Sequence, residues 1–203
     1  MNNIVHKSQQ FVEELFSKKL SNKFTYHNWN HTISVKNWAI KIGEERNLSD
    51  IDLEIISLAA LFHDTGFTHC YQGHEDDSLI LAQDFLKAQN YPADQLKKVL
   101  DCIEVTKLSA IPTTELEQIM KDADLHSIGT DNFFKNSQNL RLEWKVLCKT
   151  SFSNIEWYKN DLDFWEKHNF YTLEAQNFLN KKKKKNINTV RQMLDNELKK
   201  KRS

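Results

Sequence analysis

Glycine and proline are almost missing from this chain. Four glycines and two prolines in 203 residues are too few for the closely spaced turns of an all-β protein. Cysteine is scarce as well. Cys70, Cys102 and Cys148 are widely separated and odd in number, and no CxxC pair occurs. That pattern excludes a disulfide framework and a zinc ribbon, and a reducing, cytoplasmic setting is expected. No run of about 18 apolar residues is present, so no membrane span is expected. The first residues, MNNIVHKSQQFVEELF, lack an uninterrupted apolar core, so no signal peptide is expected there. What the chain does hold in quantity is Leu, Lys, Glu, Gln, Asn and Asp. That composition predicts an all-α fold with short connections. At this length one domain is the expectation, spanning 1–203, with a core at about 24–150 and a helical extension at 151–203.

The net charge is zero but unevenly distributed. Residues 181–203 carry ten Lys or Arg against Asp195 and Glu197, a local charge of +8, so the remainder carries −8. A basic tail of this kind can bind nucleic acid or another anionic partner. It has no aromatic residue for base stacking, and a solvated loop and helix end is the plainer expectation.

Apolar spacing predicts the helices. Residues 4–20 carry a stripe of Ile4, Val5, Phe11, Val12, Leu15, Phe16 and Leu20. In the next helix, 27–46, the stripe runs His31, Val35, Trp38, Ile42, so His31 faces inward and His27 lies one turn earlier. Ser49 and Asp52 form a capping-box-like start to a third helix. Its segment IISLAALFHDTG is apolar on every face, as a fully buried helix requires. It ends at His63 and Asp64, with Gly66 expected to stop it. A fourth helix begins near His74, and a fifth covers about 93–107, its stripe reaching Thr106 and Lys107. Thr113 or Thr114 caps a sixth, in which Leu116, Met120 and Asp124 share one line and Asp122 points elsewhere. Residues 131–203 read as helical and are rich in aromatics.

Three of these helices each set an ionisable group on an inward face: His31, then His63 with Asp64, then Asp124. A buried charge is costly unless it is paired or bound to a metal. Two imidazoles and two carboxylates suit a divalent ion such as Mn²⁺, Mg²⁺, Fe²⁺, Co²⁺ or Ni²⁺. With no cysteine ligand, structural zinc is disfavoured. Four ligands on a six-coordinate ion leave two positions for water or substrate oxygen, the arrangement of metal-assisted hydrolysis.

In that order, His31, the pair His63 and Asp64, and Asp124 resemble the H…HD…D signature of the HD superfamily of metal-dependent phosphohydrolases. NHTISV, LAALFHDTG and KDADL match its three local motifs, and FFKNSQNLRLEW is similar to a branch of small stand-alone bacterial HD proteins. The resemblance implies an all-α bundle of at least five core helices plus C-terminal helices, and one or two divalent ions. It also implies hydrolysis of phosphomonoesters, phosphodiesters or nucleotides. Phe67 stands where cyclic-dinucleotide hydrolases of the family carry lysine and where others carry a catalytic glutamate. Neither of those chemistries is expected here. HDTGFTHCYQGHE is similar to the nucleotide triphosphohydrolases, in which a later histidine acts on the leaving group.

The resulting expectation is a metal centre of His31, His63, Asp64 and Asp124 whose bound hydroxide attacks phosphorus. Asp64 and His74 are the catalytic candidates, with His74 as acid, second-metal ligand or structural residue. His27, Lys107 and Arg141 are candidates for contacts to substrate phosphate. The expected partner is a small phosphorylated molecule such as a nucleotide. Two other readings remain: a non-catalytic nucleotide-sensing module, and a nucleic-acid-directed hydrolase that uses the basic tail.

Overall fold

The computed structural model describes residues 3–201, and Arg202 and Ser203 at the end of the basic tail lie outside them. The described residues form α-helices and two short 3-10 turns, with no strand among them. They fall into two compact units that divide between Leu125 and His126.

The first unit contains α1 (Asn3–Lys19), α2 (Trp29–Glu45), α3 (Asp50–Phe62), a 3-10 turn (Thr65–Thr68), α4 (His74–Ala88), α5 (Ala93–Glu104) and α6 (Glu115–Asp124). Helix α3 is its axis. The Ser49 side chain accepts the Asp52 N–H at the start, and every residue from Glu54 to Phe62 is buried. Ile55, Ile56, Leu58, Leu61 and Phe62 have no exposed surface, nor do Val35 and Ile42 of α2, Leu86 of α4, Ile103 of α5, or Ile119 and Met120 of α6. Each such side chain contributes about 1.5–3 kcal/mol by leaving water. A phenylalanine cluster closes one side: Phe11 stacks on Phe85 with centroids 4.5 Å apart, and Phe62 lies 5.6 Å from Phe85.

A chain with so few glycines still needs left-handed residues to end its helices. Asn47 (φ 58°) and Asn90 (φ 55°) supply them after α2 and α4, asparagine being the side chain that best tolerates this region after glycine. Gly66 does not have the role expected of it. Helix α3 ends at Phe62, and Gly66 lies inside the 3-10 turn. A methyl group on Gly66 would sit 1.8 Å from the carbonyl oxygen of His74. The glycine is there because two backbones touch.

The second unit contains a 3-10 turn (His126–Gly129), α7 (Phe133–Leu147), α8 (Asn154–Lys167) and α9 (Leu173–Lys200). Asn186 on α9 donates to the carbonyl oxygens of Ile128 at 2.7 Å and Thr130 at 2.9 Å, which fixes that turn to the helix. The lysine run, expected as a solvated loop and helix end, is helical throughout and partly buried. Lys181–Lys185 lie within the 28-residue α9, whose inner face is Ala175, Leu179, Lys183, Asn186, Ile187 and Val190. Lys183 is buried and donates to the His168 carbonyl, Lys182 pairs with Asp131, and Arg191 pairs with Glu166 at 2.9 Å. Among the described residues no helix is long and apolar enough to cross a membrane.

Candidate metal centre

Three helices of the first unit, α2, α3 and α6, bring side chains to one place. His31 projects from the first turns of α2, which is started by the Asn28 side chain accepting the Asn30 N–H. His63 is the C-terminal cap of α3, and Asp64 is the first residue beyond it (φ −106°, ψ 5°). Asp124 is the last residue of α6, a helix held at its start by a capping box of Thr114 and Glu117.

The geometry is close and mutual. His31 Nε2 lies 3.5 Å from Asp64 Oδ2 and 3.3 Å from Asp124 Oδ1. His63 Nε2 lies 3.2 Å from Asp64 Oδ2 and 3.5 Å from Asp124 Oδ1. Donor atoms of His31, His63 and Asp124 all fall within 4.8 Å of one another. The side chains of His31, His63 and Asp64 are at most 5% exposed, whereas Asp124 keeps 19% and marks the open side.

These groups fit a divalent ion. His63 Nδ1 lies 2.9 Å from the Ala60 carbonyl oxygen. A carbonyl can only accept, so Nδ1 carries the hydrogen, and in the neutral ring the Nε2 lone pair points into the centre. Such a carbonyl-anchored imidazole is the usual outer support of a metal-binding histidine. His63 Nε2 and Asp64 Oδ2 are buried and make no hydrogen bond, although they lie 3.2 Å apart. Buried polar atoms without partners are rare and costly. Neighbouring ligands on bonds of about 2.1 Å stand about 3 Å apart, close to the separations seen.

Without a cation the charges compensate each other. Burial disfavours the charged form of His63, but Asp64 and Asp124 outweigh it and hold the imidazolium well above the ordinary value of 6.5. Burial likewise opposes the charge on Asp64 and Asp124, and the imidazoles overcome it. The pKa of Asp64 falls well below 3.8 through His63, His74 and His27, and that of Asp124 falls through His31 and His63.

His74 approaches from the far side of Asp64, with Nε2 3.4 Å from Asp64 Oδ1. Its Nδ1 faces the Tyr71 carbonyl oxygen at 3.3 Å and Glu75 Oε2 at 3.4 Å. Two contacts bring it there. The Gly66 N–H donates to Ser78 Oγ at 2.9 Å, which pins the start of α4 to the turn after Asp64. Phe67 then lies flat on the His74 ring, with centroids 3.6 Å apart at 16°. His27 packs on Phe67 at 4.6 Å and edge-on to His31 at 5.7 Å. It flanks the centre and is outside the group of converging donor atoms.

The other two candidates for phosphate contacts have different partners. Lys107 Nζ donates to Asp76 Oδ1 at 2.7 Å and Glu104 Oε1 at 2.8 Å. Arg141, in the second unit, donates to Asn154 Oδ1 at 2.9 Å and the Phe152 carbonyl oxygen at 2.5 Å. Asp124, expected to be the better buried of the two acids, is the more exposed: Asp122 has no exposed surface and the Asp124 side chain keeps 19%. Sequence reasoning passed over Lys121. It is buried, and its ammonium donates to the carbonyl oxygens of Val105 at 2.9 Å and Lys107 at 2.6 Å. Its place three residues before Asp124 was the only available signal.

A helical bundle that gathers two imidazoles and two carboxylates at the ends of three helices presents a candidate metal site of mixed nitrogen and oxygen donors. Residues 28–128 match the HD domain family, and the chain is an HD-superfamily protein. It is similar over 98% of its length to 98% of the Lin1889 protein from Listeria innocua, whose crystal structure gives a TM-score of 0.67 at 19% identity. A predicted HD superfamily hydrolase from an uncultured Thermotogales bacterium gives a TM-score of 0.61 at 17% identity, over 96% of this chain and 91% of that one. At these identities the likeness carries the fold. Among curated proteins none matches the chain.

Proposed function

We propose that this protein is a metal-dependent phosphohydrolase acting on a nucleotide or related small phosphoester. The observation that carries the reading is the pair of buried, unbonded atoms His63 Nε2 and Asp64 Oδ2, facing His31 and Asp124. The fold relative from the Thermotogales bacterium, a predicted HD superfamily hydrolase, supports it.

His31, His63, Asp64 and Asp124 would hold the ion. A divalent ion in such a site lowers the pKa of water and neutralises charge on a phosphoryl oxygen. The remaining chemistry belongs to the chain. The Ala60 carbonyl fixes the His63 tautomer. His74, 16% exposed and set against Asp64 Oδ1, is positioned to hand a proton to the leaving oxygen, a usual task of imidazole. The same pair, His74 Nε2 and Asp64 Oδ1, offers two donors to a second ion. His27 presents a half-exposed imidazole beside the centre for a phosphate oxygen. The expected partner is therefore a small phosphorylated molecule.

The test is metal analysis of purified protein combined with a screen of nucleotides and generic phosphodiesters. Turnover should require the ion and vanish in His63→Ala and Asp64→Ala. Metal retention and tight nucleotide binding without turnover would favour a nucleotide-sensing module instead. Salt-dependent nucleic-acid binding lost on deletion of 181–203 would favour a nucleic-acid-directed hydrolase.

A further inference from the structure

We infer that Phe24, Tyr26 and Tyr71 form a ring-stacking wall that selects the organic half of the substrate, so that this half is a flat aromatic ring such as a nucleobase. The inference rests on the phosphohydrolase reading and deepens it.

The rings are continuous with the metal centre. Tyr26 lies 4.7 Å from the His31 ring and 4.7 Å from the His27 ring. On the other side, Phe24 stacks with Tyr71 at 6.0 Å and 24° and lies 5.4 Å from Phe67. Phe67 lies 5.3 Å from Tyr71 and flat on His74. The layer thus runs from one side chain of the centre, His31, round to the histidine on the far side of Asp64.

Exposure divides the layer into two roles. Phe67 is 5% exposed and belongs to the interior. Phe24, Tyr26 and Tyr71 are half-buried, unlike the core ring Phe62, which has no exposed surface. Tyr26 borders His31, and Phe24 and Tyr71 border Phe67, which carries His74, so the partly exposed rings edge the candidate centre. Aromatic faces of this kind stack on bases with little regard to sequence. The cations of the α5–α6 segment are already committed, Lys107 to Asp76 and Glu104 and Lys121 to two carbonyls.

Tyr71 separates two effects cleanly. Its backbone carbonyl faces His74 Nδ1, while its ring belongs to the wall, so a side-chain substitution leaves the carbonyl in place. The experiment compares a nucleoside 5′-monophosphate with glycerol phosphate, which carries a phosphate and no ring. Wild type should prefer the ring-bearing ester. Tyr71→Ala, and independently Tyr26→Leu, should lower the ratio of kcat/KM for the two esters at least tenfold. Tyr71→Phe should restore it. An unchanged ratio in both variants, or a wild type indifferent to the ring, overturns the wall. If wild type cleaves neither ester, calorimetric binding of the same two compounds to metal-loaded protein decides. Ring-dependent binding upholds the wall, leaving the hydrolase reading to the wider screen of nucleotides and phosphodiesters, and ring-independent binding overturns the wall.

Discussion

His63 Nε2 and Asp64 Oδ2 belong to consecutive residues and yet meet 3.2 Å apart. Side chains of neighbours in a helix diverge by about 100°. These two converge because the helix stops between them: His63 keeps helical angles (φ −52°, ψ −35°) and Asp64 leaves them. The first prediction follows. Asp64→Ala should remove the bound ion and abolish phosphoester turnover, as metal analysis and activity assays would show together. Retention of stoichiometric metal would contradict the ligand assignment.

The second prediction concerns pH. In the metal-free protein His63 has a raised pKa, so its contribution to stability is present below 6.5 and is lost as pH rises through the higher folded value. Asp64 and Asp124 have lowered values, so their contribution is present above 3.8 and is lost only as pH falls through the folded values. Metal-free protein should therefore be less stable at pH 9 than at pH 6. A bound ion needs His63 neutral, so the rise in Tm on adding metal should be larger at pH 8 than at pH 6. Thermal melts with and without chelator would show it.

A third expectation tests the contact that positions His74. Gly66→Ala places a methyl group 1.8 Å from the His74 carbonyl oxygen and 2.9 Å from the Ser78 nitrogen. The start of α4 must retreat, at a cost of about 1–3 kcal/mol. Denaturant titration should show that loss, and kcat should fall with it. An unchanged kcat would remove His74 from the reaction.

Lys107 offers a discriminating substitution. It is 29% exposed and bonded to two carboxylates. Bridges of this kind are worth about 0–1 kcal/mol. Lys107→Ala should change both stability and the substrate KM little. A KM rise of tenfold would restore it to the phosphate site.

Asp161, in the second unit, carries a prediction of its own. Burial raises its pKa to about 6, although the Ser137 hydroxyl, 2.9 Å away, favours the charged form. A raised carboxyl destabilises the fold progressively as pH climbs from 3.8 to about 6, and the cost is constant above that. Asp161→Asn keeps an oxygen for Ser137 and has no charge to bury. At pH 7 it should stabilise the protein by up to about 2 kcal/mol, visible as a higher Tm that disappears near pH 4.

The parts of the site that could be read from the sequence are those fixed by local periodicity. His31 and Asp124 continue apolar lines spaced by three and four residues, and the segment before His63 is apolar on all faces, so inward direction followed from helix geometry alone. What escaped reading depended on where separate segments touch. Gly66 looked like a helix stop because close backbone approach leaves no mark in the chain. Lys107 looked available because Asp76 lies 31 residues away in sequence. Asp122 looked the less buried of the two acids because it lies off the apolar line of Leu116, Met120 and Asp124, yet it has no exposed surface. The lysine run looked solvated because charge hid an inward line of Leu179, Lys183, Asn186 and Val190.

The pairing of His31 with Asp124, 3.3 Å apart, has a kinetic consequence. Roughly ninety residues separate the two along the chain, so the loop between them must close before the donors can share an ion. An ion arriving early finds no more than the adjacent His63 and Asp64. Metal should therefore leave the refolding rate nearly unchanged and act on the reverse step, slowing unfolding and lengthening the lifetime of the folded chain.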